Sequence, residues 1–170
     1  MSMAANLLPR FDQIVANTRQ HLAAIPDDRL GWKPHDKSWT VGELGSHLAN
    51  LSGWTMPTLA QDSLDVAPLD GDGPPPQPEY GSSGEMVSVF DELTAAARAT
   101  IAGTTDEGFM GSWTLLVGGE QRFSMPKIAV LQEFILDHLI HHRGQLTVYL
   151  RMLDIPVPQT YGPTADFPDM

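Results

Sequence analysis

Six histidines and no cysteine mark out the chemistry open to this 170-residue chain. Without thiols there is no disulfide, no thiolate metal site and no cysteine nucleophile, so a metal here must be held by imidazole, carboxylate or carbonyl groups. Helical geometry sorts the histidines. With His138 set at 0° and about 100° per residue, Leu131, Ile135, Leu146, Tyr149 and Leu153 fall between about 20° and 80°, so the buried face centres near 40°. His142 then sits at about 40° and His138 about 40° off centre, while His141 lies about 100° away at the edge. His47 lies beside Leu44 and Leu51 on an earlier helix, within about 60° of that face's centre. His21 and His35 read as ordinary surface residues.

Two imidazoles one turn apart and a third from a facing helix match the way helix bundles build metal sites. A lone inward histidine is more often a hydrogen-bonded core residue, and an i, i+4 pair by itself is a weak signal. Three neutral imidazoles would leave a divalent ion its full charge and an open position, where a bound water can have its pKa lowered to roughly 7. Helix placement puts Gln145 at about −20°, on the His138 side, where it can orient a ligand. Trp54, Thr58 and Tyr149 are the expected lining of a pocket beside the metal. The pattern is not the zincin motif, which needs glutamate directly after the first histidine, where this chain has Leu139. Asp137 and Glu43 are the remaining candidate bases, although they read more readily as a solvated helix residue and a capping residue.

These residues need helices to position them. Residues 4–25 carry Leu8, Phe11, Val15, Thr18, Leu22 and Ile25 at helical spacing, with Pro9 tolerable only in the first turn. Pro26, Gly31 and Pro34 break the pattern across 26–39. Thr40 and Glu43 form a capping box that opens a second helix through Leu59, and Ser82 and Glu85 form another that opens a third through Ile101. Between them Asp62 to Gly81 is loop-like and proline-rich, either a simple connection or a lid or dimer-contact loop. Trp113–Val117 and Phe123–Met125 around Gly118-Gly119 predict a small β-hairpin. The last helix runs from about Pro126 to Leu153 and is ended by Pro156 and Pro158. The expected fold is therefore all-α, a four-helix bundle with a small β-hairpin before the last helix, forming a single domain over 1–170.

The formal charge of −11 disfavours nucleic acid, since the surface repels phosphate backbones. No apolar run approaches the roughly 18 residues that span a bilayer, and no secretion signal opens the chain, so a soluble cytoplasmic protein without a membrane partner is expected.

Ser38-Trp-Thr-Val-Gly-Glu-Leu-Gly-Ser-His-Leu48, Gly118-Gly119 and Asp137-His-Leu-Ile-His-His-Arg-Gly-Gln-Leu146 together resemble the DinB-like (DinB/YfiT) superfamily over nearly the whole chain. The most specific piece is the His-His-Arg-Gly-Gln stretch at 141–145. The resemblance implies a four-helix bundle with a three-histidine site for zinc, nickel or a similar ion such as iron or manganese, its ligand positions falling on His47, His138 and His142. It implies, too, that the chain could form a homodimer. Many relatives carry an acidic residue where this chain has Leu139, so any role for that acid is absent here. The family contains metal-dependent transferases that use low-molecular-weight thiols, thiol-dependent isomerases and many proteins without known activity. The expected function is accordingly a metal-dependent transferase joining a low-molecular-weight thiol to a small-molecule substrate. The alternatives are a hydrolase using a metal-activated water and a non-catalytic metal-binding, stress-associated protein. Arg143 and Arg151 are the cations that could serve an anionic partner if they lay near the pocket, although Arg143 reads more readily as a helix-end ion-pair residue.

Overall fold

A computed structural model describes residues 2–69, 71 and 76–169. The centre of the proline-rich loop, at 70 and 72–75, lies outside the described residues. The chain is mostly helical. α1 (Met3–Ala23) starts on Ser2, whose Oγ accepts from the Ala5 N–H. α2 (Val41–Leu51) opens on the expected capping box: Thr40 Oγ1 accepts from the Glu43 N–H at 3.1 Å, and Glu43 Oε2 accepts from the Thr40 N–H at 2.6 Å. A short 3₁₀ turn carries the same path into α3 (Thr55–Ala60). α4 (Ser83–Gly103) begins on half of the second expected box. Ser82 Oγ accepts from the Glu85 N–H, but Glu85 Oε2 accepts from Gly81 instead of closing back on Ser82.

α5 (Asp106–Met110) leads into a sheet of β1 (Ser63–Asp65), β2 (Ser112–Val117) and β3 (Glu120–Pro126). The expected hairpin is β2 and β3, turning through Gly118 and Gly119 at φ 63° and 78°, values that favour glycine in a tight turn. It is only part of the sheet, because β1 pairs parallel to β2 from inside the segment read as loop. The Asp65 carboxylate pins that addition by accepting from the N–H groups of Ala67, Gly118 and Gly119. The last helical span is not continuous α-helix. α6 (Lys127–Val130) passes into a π-helical segment, Leu131–Leu136, and then into α7 (Asp137–Met152).

α1 packs on α4 and α7, and α2 packs on α4 and α7, around one core that includes Phe11, Leu44, Leu48, Phe90 and Leu139. Gly45 permits the close approach of α2, since a Cβ there would lie 2.6 Å from Ile25 Cδ1 and 2.7 Å from Met86 Sδ. The all-α expectation thus needs correcting: four helical spans pack together, but with a short α5, a π-helical interruption and a three-stranded sheet. α1 also turns differently from its pattern. Leu7 and Ile14 are buried rather than Leu8 and Val15, Pro9 lies inside the helix, and His21, read as a surface residue, is fully buried. No helix among the described residues is long and apolar enough to cross a membrane.

Candidate metal centre

α2 and α7 deliver three imidazoles to one point. The Nε2 of His138 lies 3.3 Å from the Nε2 of His47 and 2.8 Å from the Nε2 of His142. The three could hold a metal ion. Their other ring nitrogens are fixed by oxygens that can only accept. His47 Nδ1–H donates to Gln77 Oε1 at 2.9 Å, His138 Nδ1–H to the Phe134 carbonyl at 3.3 Å, and His142 Nδ1–H to Gln145 Oε1 at 2.7 Å. A neutral imidazole carries one N–H, so each Nε2 presents a bare lone pair to the other two. Lone pairs at such spacing repel unless a cation lies between them. Two nitrogens each roughly 2.0–2.1 Å from one ion sit about 2.9–3.4 Å apart at the usual ligand angles, close to both observed separations. The donor set therefore fits a divalent ion that favours imidazole.

A proton is the poorer occupant. Burial pushes His142 down to about 4, against the help of Gln145, and His47 and His138 also lower it. His47 and His138 are lowered as well, again chiefly by burial. The unfolded chain takes up protons at these rings near 6.5 while the folded one does not, so stability falls as pH falls through that window. For His142 the window runs from 6.5 down to about 4. Metal-free protein should lose about 2 kcal/mol from this ring by pH 5, or roughly 4–8 °C in Tm. Melting curves in chelator from pH 7 to 5 check this; a flat Tm would contradict it.

The helical phase of α7 differs from its sequence reading. Leu139, Arg143, Leu146 and Leu150 are all buried, which centres the inward face near 100° rather than 40° from His138. His142, itself buried, and the half-buried His138 lie on the flank of that face, and His47 is half-buried as well. That position suits ligands, because the core supports the rings while His47 and His138 face a cavity. The π-helical segment ends at Leu136, two residues before His138, and its Phe134 carbonyl holds that ring. Widened turns of this kind recur at functional sites.

Gln145 stands where helical phase puts it, holding His142. Gln145→Ala is expected to weaken metal affinity by roughly 10–100-fold with an unchanged circular dichroism spectrum. Equal affinity in a chelator competition would show that the ring is fixed otherwise. Gln77 and Trp39 were not singled out by sequence. Gln77 comes from the described end of the proline-rich loop, whose Pro76 and Pro78 also line the cavity. The Trp39 ring stacks on His142 at 5.5 Å and lies tilted on His47 at 5.0 Å, shielding that side of the cluster. Its place directly before the Thr40 cap was the available signal.

The cavity beside the cluster has a volume of 750 Å³ and reaches His47 and His138. Trp54 and Thr58 line it as expected; Tyr149 does not. Tyr149 instead donates from its hydroxyl to the Trp39 carbonyl at 3.2 Å, behind the cluster. His141 is exposed outside the cluster. Asp137 pairs on the surface with Arg10 at 2.8 Å, and Glu43 is engaged in its cap. Arg143 is not a helix-end ion-pair residue: it is buried, donates to the Ile14 carbonyl and the Tyr161 hydroxyl, and does not line the cavity. Arg151 pairs with Asp166.

The sequence matches the family described as the DinB superfamily over residues 10–146. A protein of Bacillus subtilis (strain 168) named uncharacterized protein YrdA is 26% identical over 149 residues, spanning 88% of this chain and 82% of that protein. A crystal structure of a DinB-like protein from Bacillus cereus ATCC 10987 shares the fold with a TM-score of 0.67 at 21% identity, over 91% of this chain and 95% of that one. The DinB-like protein YjoA of Bacillus subtilis gives a TM-score of 0.67 at 18% identity, over 91% and 97% of the two chains.

Proposed function

The chain belongs to the DinB superfamily, and from that premise we propose that it is a metal-dependent transferase joining a low-molecular-weight thiol to a small electrophile. The observation that carries this reading is the convergence of three bare Nε2 lone pairs at the edge of a large cavity that His47 and His138 line. A zinc or nickel ion there would supply the positive charge that lowers the pKa of an incoming thiol. His47, His138 and His142 hold the ion; Gln77, Gln145 and the Phe134 carbonyl keep the three rings in the tautomer that presents Nε2. Trp39 closes one side, so cosubstrates approach through the cavity. The thiol proton leaves to solvent, the sulfur forms a bond to the electrophilic carbon, and the leaving group departs with the electron pair of the broken bond. The chain has no cysteine, so the sulfur comes from the cosubstrate.

A hydrolase needs a base near the ion, and both sequence candidates are engaged elsewhere, Asp137 with Arg10 and Glu43 in its cap. That favours the transferase. The experiment is incubation of zinc- or nickel-loaded protein with a panel of cellular thiols and 1-chloro-2,4-dinitrobenzene. A conjugate should form above background and disappear with chelator and in His142→Ala. No metal-dependent conjugate with any thiol would sink the transferase.

A further inference from the structure

The cavity wall specifies a substrate class more narrowly than the three histidines do. Its body is built from Trp54, Trp113, Leu115, Phe123 and Phe134, with aliphatic and proline side chains between them. Among the described lining residues there is no lysine or arginine. Several of the polar groups that do line it are already engaged. Asn50 donates to the Ser46 carbonyl and accepts from the Tyr80 hydroxyl, and Asp65 accepts from three backbone N–H groups. Gln77 Oε1 accepts from His47. The Thr58 hydroxyl and the Trp113 indole N–H are buried in the wall without a hydrogen-bond partner. Apart from the ion the histidines would hold, a charged ligand would leave water for a wall with no lysine or arginine and a single carboxylate, Asp65, already held by three N–H groups, at a cost of several kcal/mol. A carboxylate or sulfonate would in addition face Asp65, on a chain of net charge −11.

We propose that the electrophile is an uncharged, mainly apolar molecule with an aromatic or similarly flat body, seated between Trp54 and the β2–β3 face with its reacting end toward His47 and His138. The choice of reacting end rests on the metal-centre reading; the neutral, apolar character rests on the wall alone. Apolar pockets with few directing polar groups select by shape and desolvation, so discrimination should fall on charge far more than on ring substituents.

The test is an NMR titration of the full chain, following the indole N–H signals, with nitrobenzene and with 3-nitrobenzenesulfonate, whose sulfonate is a poor metal ligand. Nitrobenzene should bind at least tenfold more tightly. Leu115→Glu should remove that binding while Leu115→Met keeps it. Trp54→Lys, at a partly exposed position that a folded protein tolerates, should weaken nitrobenzene and strengthen the sulfonate. Equal affinities, tighter sulfonate binding in the parent, or an unchanged preference in Trp54→Lys would overturn the proposal. Metal content measured on the same samples separates the two claims: lost metal with the preference intact would refute the metal centre and leave this inference standing.

Discussion

His142→Ala is expected to reduce bound metal from one ion per chain to a trace and to weaken affinity by about 10²–10³-fold. Site energies of roughly 10–16 kcal/mol shared among four ligands put each at about 3–4 kcal/mol. His142 carries more than its own bond, because its Nε2 lies 2.8 Å from that of His138 and its Nδ1–H is anchored on Gln145. The fold should survive, since the ring flanks the core instead of filling it. His141→Ala is the matched control: the neighbouring imidazole is exposed and outside the cluster, so its loss should leave metal content unchanged. Elemental analysis after dialysis against a weak chelator reads both variants, and equal metal in His142→Ala would refute the assignment.

Leu139→Glu should be the most damaging single change on α7. Leu139 is fully buried in the core, near the centre of the helix's inward face. A carboxylate there enters the apolar core with one cation in reach, the buried Arg143 one turn on, which already donates to the Ile14 carbonyl and the Tyr161 hydroxyl. The desolvation left over costs roughly 2–4 kcal/mol, or about 4–16 °C in Tm. Leu139→Met conserves volume and should cost less than about 1.5 kcal/mol. The comparison bears on mechanism too. An acid at this position of this chain would point into the core, away from the cavity where the histidines meet. Thermal melts decide it; a Tm within a few degrees of the parent for the glutamate variant would mean that the helix can rotate or that the core admits water.

The site was more legible in the sequence than the fold around it. Helix spacing alone brought His47, His138 and His142 together and left His141 outside, and it set Gln145 beside them. The spacing placed His142 at the middle of a buried face and His138 about 40° off it; the structure buries His142 but nearer the edge of that face, with His138 half-buried beside it. The discrepancy arises because the π-helical segment before His138 breaks the uniform phase that carried Leu131 and Ile135 into the pattern. Gln77 could not be read, because its contact with His47 bridges 30 residues through a proline-rich loop with no periodicity. β1 was equally silent: three residues are too short to show alternation, and a parallel partner leaves no turn signal. His21 lies on the flank of the apolar pattern of α1, whose buried face keeps Phe11, Thr18 and Leu22 but shifts by about 40° to take in Leu7, Ile14 and the His21 ring.

X-ray absorption at the metal edge tests the central claim most directly. For zinc- or nickel-loaded protein, the account predicts a first shell that includes three imidazole nitrogens, at roughly 2.0–2.1 Å for zinc, with the outer-shell scattering that rigid imidazole rings produce. A first shell of oxygen ligands alone, or a spectrum in which His142→Ala leaves the imidazole contribution unchanged, would contradict it.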